Sequence, residues 1–354
     1  MLPSHCHRRV RVTEQADLSA VRCTAADLAA AAALGDEAAG RVQLVVCELA
    51  TNLLRHARGG GVILMRQLGL PGEASEGFEC IALDQGPGIE DLGRALADRH
   101  DPEPVAGRGL GYGLGAVRRL SDGFDIHSIP GTGTAVLARV HAAAPVPADT
   151  ADGPRPGWAF EWGAVMLPMA GDDHCGDGWL IRPDGLVMVV DGLGHGEAAS
   201  LAARRAEDVA RRTTAHHDPQ AVLSAMHEAL RGTRGAVAAA LRVGHGRIDY
   251  ACVGNIVATI VRRDGTTSLP ERWGVIGYNA VPPASTTAPW GAGEHVILHS
   301  DGCSRVVDLF VERRLRHVDP ALAAAVLLRD GGTRVDDQTV VVLRNTHPAP
   351  HAFL

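Results

Sequence analysis

Lysine is absent from this sequence, so all 34 of its lysine and arginine positions are arginine. The absence excludes several kinds of chemistry. Walker-type phosphate loops, protein kinases that pair a lysine with phosphate, and Schiff-base enzymes all need a lysine. Any ATP chemistry in this chain must therefore use another scaffold.

Basic runs, paired cysteines and long apolar runs are missing as well. A formal net charge of -7 without basic runs argues against nucleic acid or an anionic membrane as the main partner. The seven cysteines are scattered without a C-x-x-C pair, which indicates reduced core thiols in a cytoplasmic protein. No apolar stretch resembles a signal peptide or reaches about 18 residues, which disfavours secretion and membrane spanning.

The length and composition predict two globular domains. A chain of 354 residues with 46% hydrophobic residues can bury two cores. A run rich in proline, alanine and other small residues interrupts it, and such a run behaves as a semi-extended linker. We expect domains at 1–142 and 158–345, a linker at 143–157 and a tail at 346–354.

Hydrophobic periodicity predicts an α+β fold for both halves. In the first half we expect helices at 26–33, 40–57, 91–99 and 114–120, and strands at 61–68, 78–83, 123–129 and 133–140. The second half shows strand-like runs separated by helical stretches, which suggests sheets covered by helices. There the strands are expected at 162–167, 179–181, 186–190, 236–243, 247–253, 256–262, 295–299 and 339–343, and the helices at 197–213, 219–231 and 320–328.

A carboxylate and an amide share one face of the helix predicted at 40–57. Glu48 and Asn52 are four residues apart, so both project from the same side. Such a pair can position a nucleophile and ligate Mg²⁺, although it is also compatible with two surface polar residues.

Three glycine-rich segments follow this helix in order: 84–89 (DQGPGI), 107–115 (GRGLGYGLG) and 131–134 (GTGT). Glycines let backbone N–H groups approach phosphate oxygens, and a helix beginning near Leu114 would direct its positive end at them. One such loop is weak evidence, but four elements in this order predict a nucleotide site.

These residues resemble the GHKL, or Bergerat-fold, ATPases, and more narrowly the short anti-sigma-factor serine kinases. The resemblance covers most of residues 10–140 and implies a Bergerat α/β sandwich that binds ATP with Mg²⁺. It implies Glu48 as the general base, Asn52 as the Mg²⁺ ligand and Asp84 as the partner of the adenine amino group. The implied phosphate and nucleotide contacts are Gly86, Gly88, Gly109, Gly111, Gly113 and Thr134. His56 also suits the family pattern, or it is a satisfied core or capping histidine.

Such a site could hydrolyse ATP, transfer its phosphate to a protein, or sense nucleotide. Because Glu48 and Asn52 are both present, a competent phosphotransferase is favoured over a degenerate sensor. The domain is too small for the transducer segment or dimerisation helices of a histidine kinase.

Four aspartates lie at the ends of predicted strands in the second half: Asp177, Asp191, Asp301 and Asp336. Clustered carboxylates supply the hard oxygen ligands that Mg²⁺ and Mn²⁺ prefer. Two such cations could activate a hydroxide for in-line attack on phosphorus without a serine or cysteine nucleophile. An aspartate beside a glycine is often only a turn residue, which explains any one of these sites but explains the four together poorly.

This set resembles the SpoIIE-like branch of the metal-dependent Ser/Thr phosphatases over about residues 160–343. The most specific piece is DGLGHG at 191–196. The resemblance implies an α-β-β-α sandwich with two Mn²⁺ or Mg²⁺ ions, held by Asp177, Asp191, the Gly192 carbonyl, Asp301 and Asp336. Asp337 is an alternative to Asp336.

Other polar residues near these motifs have two interpretations each. His195 either contacts the phosphate and protonates the leaving oxygen, with Asp191 as its catalytic companion, or caps the helix that begins near Glu197. Asp172 and Asp173 are expected in the surrounding loop. Asn255, after Gly254, is expected to support the fold rather than the chemistry.

The two halves together predict a bifunctional regulator of a phosphoprotein switch. The resemblance implies partner switching, in which such kinases phosphorylate a STAS-domain antagonist and SpoIIE-like phosphatases reverse it in a sigma-factor stress pathway. The alternative is a nucleotide-sensing protein that sequesters a partner such as a sigma factor, with the phosphatase as its only enzyme activity. A phosphatase acting on a small phosphate ester is a third interpretation.

Overall fold

The computed structural model describes residues 2–69, 75–96, 113–142, 160–214, 218–279, 283–333 and 335–346. These residues form two compact units, one of residues 7–142 and the other of residues 2–6 with 160–346. Both units combine helices with sheets, which confirms the α+β fold class. The predicted linker at 143–157 and residues 347–354 lie outside the described residues.

The first unit is a five-stranded antiparallel sheet with helices on one face. Its spatial strand order is β1-β2-β3-β5-β4. The strands are β1 (Arg8–Val12), β2 (Gly61–Leu68), β3 (Gly77–Asp84), β4 (Gly123–Ile129) and β5 (Gly133–His141), and the helices are α1 (Asp17–Ala31), α2 (Asp36–His56), α3 (Leu92–Leu96) and α4 (Gly113–Leu120).

Helix α2 forms where an apolar stripe repeats every three to four residues. Val42, Val46, Leu49 and Leu53 are all buried against the sheet. Acidic residues in its first turn and basic residues in its last turn suit the helix dipole. Because the stripe fixes the rotation of the helix, it also fixes the direction in which Glu48 and Asn52 point.

A buried carboxylate on β3 is surrounded by cationic side chains. Oε1 of Glu79 lies 2.7 Å from Nε of Arg66, and its Oε2 lies 2.8 Å from Nε of Arg139. Nε2 of His7 lies 3.4 Å from Oε1. Burial alone would raise the pKa of Glu79, but the two arginines hold it well below its ordinary value.

The second unit stacks two five-stranded sheets between two layers of helices, as expected of an α-β-β-α sandwich. One sheet has the order β13-β10-β9-β8-β7 and the other the order β12-β11-β14-β15-β6. The strands are β6 (Phe160–Leu167), β7 (Asp177–Ile181), β8 (Leu186–Gly192), β9 (Ala236–Gly244), β10 (Arg247–Val253), β11 (Val257–Val261), β12 (Thr266–Ser268), β13 (Thr286–Pro289), β14 (His295–His299) and β15 (Gln338–Asn345). The helices are α5 (Glu197–Arg212), α6 (Pro219–Ala229), α7 (Val306–Glu312), a 3-10 turn (Leu315–His317) and α8 (Pro320–Gly331).

Strand pairing in this unit brings the ends of four strands to one edge. Strand β7 begins at Asp177, which pairs in register with Asp191 near the end of β8. Strand β14 ends at His299 opposite Val340, close to where β15 begins. The residues just after β14 and just before β15 therefore lie at the same end of their sheet.

Most predicted elements are present, and several strands have the expected bounds within one or two residues. The sequence prediction omitted β1, β12, β13, α7 and the first half of α1. Five of the seven cysteines are buried and all are free thiols, as expected for core residues, although Cys23 is exposed. Among the described residues, no helix is long and apolar enough to cross a membrane.

Replacing the buried carboxylate tests the ionic cluster of the first unit. Glu79→Gln leaves two arginines without a counter-charge, so we expect a loss on the order of 3 kcal/mol in the unfolding free energy of this unit. A group with a depressed pKa contributes stability above its unfolded pKa of 4.5 and loses it as the pH falls. The gap between wild type and variant should therefore narrow below about pH 4.5 in urea titrations.

Asp27→Asn is the matched control, because Asp27 is exposed on α1 of the same unit. It removes the same charge without leaving a buried cation. Equal stabilities of the Glu79 and Asp27 variants at pH 7 would contradict the role of the cluster.

Candidate functional sites

The first candidate site is an acidic cluster at one edge of the second unit. Asp177 and Asp191 face each other across β7 and β8. Gly192 follows directly, and its N–H donates to the carbonyl of Gly176 over 2.9 Å. A Cβ on Gly192 would lie 2.3 Å from the carbonyl oxygen of Ala199, so only glycine allows α5 to approach this closely.

A buried serine connects the two sheets at this edge. Ser300 donates its hydroxyl to Oδ2 of Asp177 over 2.7 Å and accepts from the N–H of Thr339 over 3.0 Å. Ser300 has no exposed surface. It therefore holds Asp177 in a fixed orientation from the opposite sheet.

The next residue, Asp301, is exposed and is held by an amide. Nδ2 of Asn255 donates to Oδ2 of Asp301 over 2.9 Å. Asn255, which we expected only to support the fold, therefore contacts a predicted metal ligand directly.

Asp336 and Asp337 differ in what they contact. Both oxygens of Asp337 accept backbone N–H groups, from Met169 at 2.7 Å and from Gly176 at 2.6 Å. Asp336 is half-buried. Within the described residues its side chain accepts one hydrogen bond, from the N–H of Asp337 over 2.9 Å. The geometry favours Asp336 as the residue that can turn to a cation, with Asp337 fixing the loop before β7.

Burial and mutual repulsion shift the titration of these carboxyl groups. Burial, with the charges of Asp177, Asp301 and Asp336, raises the pKa of Asp191 to about 9. Burial raises the pKa of Asp177 to about 7, against the hydrogen bond from Ser300. Burial and mutual repulsion thus disfavour the ionised form of these carboxyl groups, and a nearby cation would favour it.

The donor set suits a hard divalent cation. In the described part of the chain, none of Asp177, Asp191, Asp301 and Asp336 forms an ion pair with an arginine or histidine. Carboxylate oxygens without a counter-charge are the ligands that Mg²⁺ and Mn²⁺ prefer. Among the described residues, no three His, Cys, Asp or Glu side chains converge closely enough to enclose an ion.

His195 is exposed beside the cluster. Its Nδ1 lies 3.8 Å from Oδ2 of Asp172, whose other oxygen, Oδ1, accepts the N–H of His174. Helix α5 has Gly196 at its N-cap position and no side-chain cap. The capping interpretation of His195 is therefore wrong, and the side chain is available at the mouth of the site.

The second candidate site is a cavity of about 570 Å³ in the first unit. Its walls include the apolar side chains Leu49, Leu53 and Val136. Polar groups enter from Asn52, Asp84, Gly88, Gly113 and Thr134, and from Glu90, Asp91 and Arg94. An apolar floor with a few polar groups is typical of a site for a planar base with a charged tail.

Asp84 organises the floor of this cavity. Its Oδ1 accepts the N–H of Gly86 over 2.7 Å and the N–H of Thr134 over 3.2 Å. Gly88 has φ +72°, and a Cβ there would lie 2.4 Å from the carbonyl oxygen of Ile129. Glycine at this position is therefore required by both the backbone conformation and the close approach.

Asn52 and Glu48 are placed differently, although they share a helix face. Asn52 lines the cavity, and its Nδ2 is a buried donor without a hydrogen-bond partner among the described residues, so it can donate to an acceptor atom of a ligand. Glu48 does not line the cavity. Burial raises its pKa, while Arg55 and the N–H of Gly113 oppose the shift.

The structure thus gathers most of the predicted nucleotide residues around one cavity. Gly86 contacts Asp84 but is not on the lining, and His56 lines the cavity as an exposed residue, so it is neither core nor cap. Gly109 and Gly111 lie outside the described residues.

Two protein families match the two halves of the chain. The histidine kinase-like ATPase domain matches residues 12–140, and the stage II sporulation protein E (SpoIIE) family matches residues 184–346. The serine/threonine-protein kinase RsbT of Bacillus subtilis (strain 168) is 34% identical over 129 residues, which are 36% of this chain and 92% of RsbT. The chain belongs to the RsbT-like kinase family. It joins this kinase-like ATPase domain to a SpoIIE phosphatase domain.

Solved structures similar to the chain include two bacterial proteins. A chain from a structure of the bacterial stressosome is 31% identical, with a TM-score of 0.48, over 52% of this chain and 99% of that one. RsbX in complex with magnesium is 22% identical, with a TM-score of 0.45, over 51% of this chain and 92% of that one.

Sequence reasoning did not find Ser128 or Ser300, and it assigned Asn255 to the fold rather than to the site. Ser128 accepts the N–H of Ile89 over 2.8 Å and lies 2.9 Å from the hydroxyl of Thr134, and so braces the cavity floor. Ser300 and Asn255 brace the acidic cluster. Ser300 directly precedes Asp301, which was the one available signal, whereas Ser128 and Asn255 are joined to their sites only through the tertiary fold.

Removing one carboxylate tests whether the cluster is built for a cation. In buffer that contains a metal chelator, Asp191→Asn is expected to raise the unfolding free energy of the second unit by roughly 1–3 kcal/mol. The reason is that the variant no longer buries a carboxyl group that neighbouring carboxylates repel. Added Mn²⁺ should raise the midpoint temperature of thermal unfolding of wild type, and it should raise that of the variant much less. Differential scanning calorimetry with and without Mn²⁺ measures both effects.

Asp264→Asn serves as the control, since Asp264 is an exposed turn residue of the same unit. It should leave both the midpoint and the Mn²⁺ response unchanged. If Asp191→Asn and wild type gain equally from Mn²⁺, the carboxylate does not take part in cation binding.

Proposed function

We propose that the chain is a bifunctional regulator that removes phosphate from, and adds phosphate to, serine or threonine of a partner protein. The observation that carries the proposal is the pairing of Asp177 with Asp191 at an edge that also holds Asp301 and Asp336. Among the described residues, none of the four forms an ion pair with a protein cation. This arrangement supports the phosphatase activity more directly than the kinase activity.

In the phosphatase site, Asp177, Asp191, the Gly192 carbonyl, Asp301 and Asp336 would hold two Mn²⁺ or Mg²⁺ ions. When bound, such ions lower the pKa of water and neutralise charge on a phosphoryl group. Ser300 and Asn255 orient the carboxylates of Asp177 and Asp301. Asp337 holds the loop that precedes Asp177.

His195 is the residue that we assign to proton transfer in this site. It lies at the mouth of the cluster with Asp172 3.8 Å from its ring nitrogen. A histidine placed there can act as a general acid and give a proton to the leaving oxygen of serine or threonine. Asp191 acts beside it by holding the cation.

In the first unit, we assign ATP with Mg²⁺ to the cavity between α2 and the sheet. Asn52 would ligate the Mg²⁺, and Asp84 would accept the adenine amino group. Gly88, Gly109, Gly111 and Gly113, with the side chain of Thr134, would surround the phosphates. Gly86 would hold Asp84 in place through its N–H. Glu48 would accept the proton of the attacking hydroxyl.

The partner that we propose is a STAS-domain antagonist protein, within a sigma-factor stress pathway in the cytoplasm. The chain would write the phosphate with its first unit and erase it with its second. Nucleic acid and membrane are not proposed as partners.

A second function is favoured by one observation. Glu48, the base that a kinase needs, does not line the cavity and instead accepts the N–H of Gly113. In that case the first unit binds nucleotide and a partner such as a sigma factor without transferring phosphate, and the phosphatase is the only enzyme.

The phosphatase is tested with a phosphoserine STAS protein and Mn²⁺. Asp191→Ala is expected to lower phosphate release by roughly 100-fold or more, because a carboxylate that holds the cation is lost. Asp264→Ala is the control and should release phosphate as wild type does. Undiminished release by the Asp191 variant would rule out the carboxylate mechanism.

The kinase is tested with labelled ATP and candidate STAS proteins in an Asp191→Ala background, so that the phosphatase does not erase the product. Asn52→Ala should lose both nucleotide binding and transfer, since it removes the Mg²⁺ ligand. Glu48→Gln should retain binding and lose transfer. Glu37→Gln is the control, because Glu37 is exposed in the first turn of α2. This variant should bind nucleotide and transfer phosphate as the background chain does.

Two outcomes separate the kinase from the sensor. Transfer of label by the background chain to a STAS protein, lost in Glu48→Gln, supports the kinase. Nucleotide binding without transfer to any STAS protein, unchanged by Glu48→Gln, establishes the sensor instead.

A further inference from the structure

An exposed arginine lies on the short turn between α6 and β9. Arg234 makes no ion pair and no side-chain hydrogen bond within the described part of the chain. Several other arginines of this unit, such as Arg313 and Arg329, pair with carboxylates. Arg234 is therefore unpaired within the described residues.

The guanidinium of Arg234 lies against the loop that joins the acidic cluster to α5. A Cβ on Gly194 would lie 2.9 Å from Nη1 of Arg234 and 3.9 Å from its Cζ. Gly194 also has φ +79°, so a larger residue would be strained as well as in the way. Glycine here leaves room for the guanidinium.

The same loop contacts the start of β7. A Cβ on Gly176, the residue before Asp177, would lie 3.3 Å from the carbonyl oxygen of Gly194. Gly194 itself follows Asp191 by three residues. The guanidinium therefore packs on the segment that follows Asp191 and that also contacts the residue before Asp177.

Hydrogen bonds fix the turn that presents Arg234. The hydroxyl of Thr233 donates to the carbonyl of Leu230 over 2.6 Å and accepts the N–H of Gly235 over 3.0 Å. The N–H of Leu193 donates to the carbonyl of Gly235 over 3.1 Å. Because the two loops are bonded to each other, the position of Arg234 relative to the cluster is built into the fold.

We propose that Arg234 binds the phosphoryl oxygens of the phosphoserine or phosphothreonine substrate at the entrance to the acidic cluster. The inference rests on the proposed phosphatase function and adds the residue that recognises the substrate. A guanidinium offers paired N–H donors that match two phosphoryl oxygens, and it keeps its charge at all relevant pH values. An acidic site that must receive a dianionic group needs such a cation at its entrance.

The experiment compares Arg234→Gln and Arg234→Lys with Arg205→Gln in the full chain loaded with Mn²⁺. Arg205 is exposed on α5 and has no side-chain partner among the described residues, so its variant removes the same charge elsewhere in the unit. The measurements are KM and kcat for p-nitrophenyl phosphate and for a phosphoserine peptide, inhibition by inorganic phosphate, and calorimetric binding of inorganic phosphate.

Arg234→Gln should raise KM for both esters and the dissociation constant of inorganic phosphate by about tenfold, since it removes a charge-assisted pair of hydrogen bonds. Arg234→Lys should recover part of the affinity, because it restores the charge without the paired geometry. Arg205→Gln should match wild type in every measurement.

Equal phosphate binding by Arg234→Gln and Arg205→Gln would overturn the proposal, and so would the absence of phosphate binding by wild type. If Arg234→Gln does not fold, Arg234→Lys decides the matter, because full wild-type phosphate affinity in that variant would contradict recognition by a paired donor. Wild type that binds phosphate through Arg234 but hydrolyses neither ester would support this inference while removing the proposed phosphatase function.

Discussion

A carboxylate removed from water needs positive charge nearby, and the two units meet this requirement in opposite ways. In the first unit, Arg66 and Arg139 surround the buried Glu79 and keep it ionised. In the second unit, Asp177 and Asp191 pair across two strands and, in the part of the chain that the structure describes, form no ion pair with a protein cation. The first arrangement is complete within the protein, whereas the second requires a charge from outside.

The second unit uses hydrogen bonds to hold what it does not neutralise. Ser300, Asn255 and the N–H of Asp337 orient the carboxylates of Asp177, Asp301 and Asp336, but neutral donors offset little of the repulsion between the carboxylates. These donors come from both sheets of the sandwich. Carboxylates that are oriented but not neutralised bind an added cation most favourably. The arrangement that the fold imposes is therefore the one that the proposed chemistry uses.

The sequence was sufficient where periodicity or a strand end decided the outcome. The apolar runs that became β2, β10 and β14 have the predicted bounds, and the aspartates after or before such runs meet at one edge. Strand β1, with the sequence RRVRV, was missed because arginines alternate with apolar residues only briefly. The choice between Asp336 and Asp337 was not available either, since it depends on N–H groups more than 160 residues away.

The absence of lysine has a consistent physical consequence in both units. Arginine is the cation beside Glu79, beside Asp330 on α8 and on the turn facing Gly194. A guanidinium does not lose its proton in a protein, so none of these contacts is weakened by deprotonation and none can serve as a base. Proton transfer in either site must then fall to carboxylates and histidines, which is why His195 and Glu48 carry so much of the proposed chemistry.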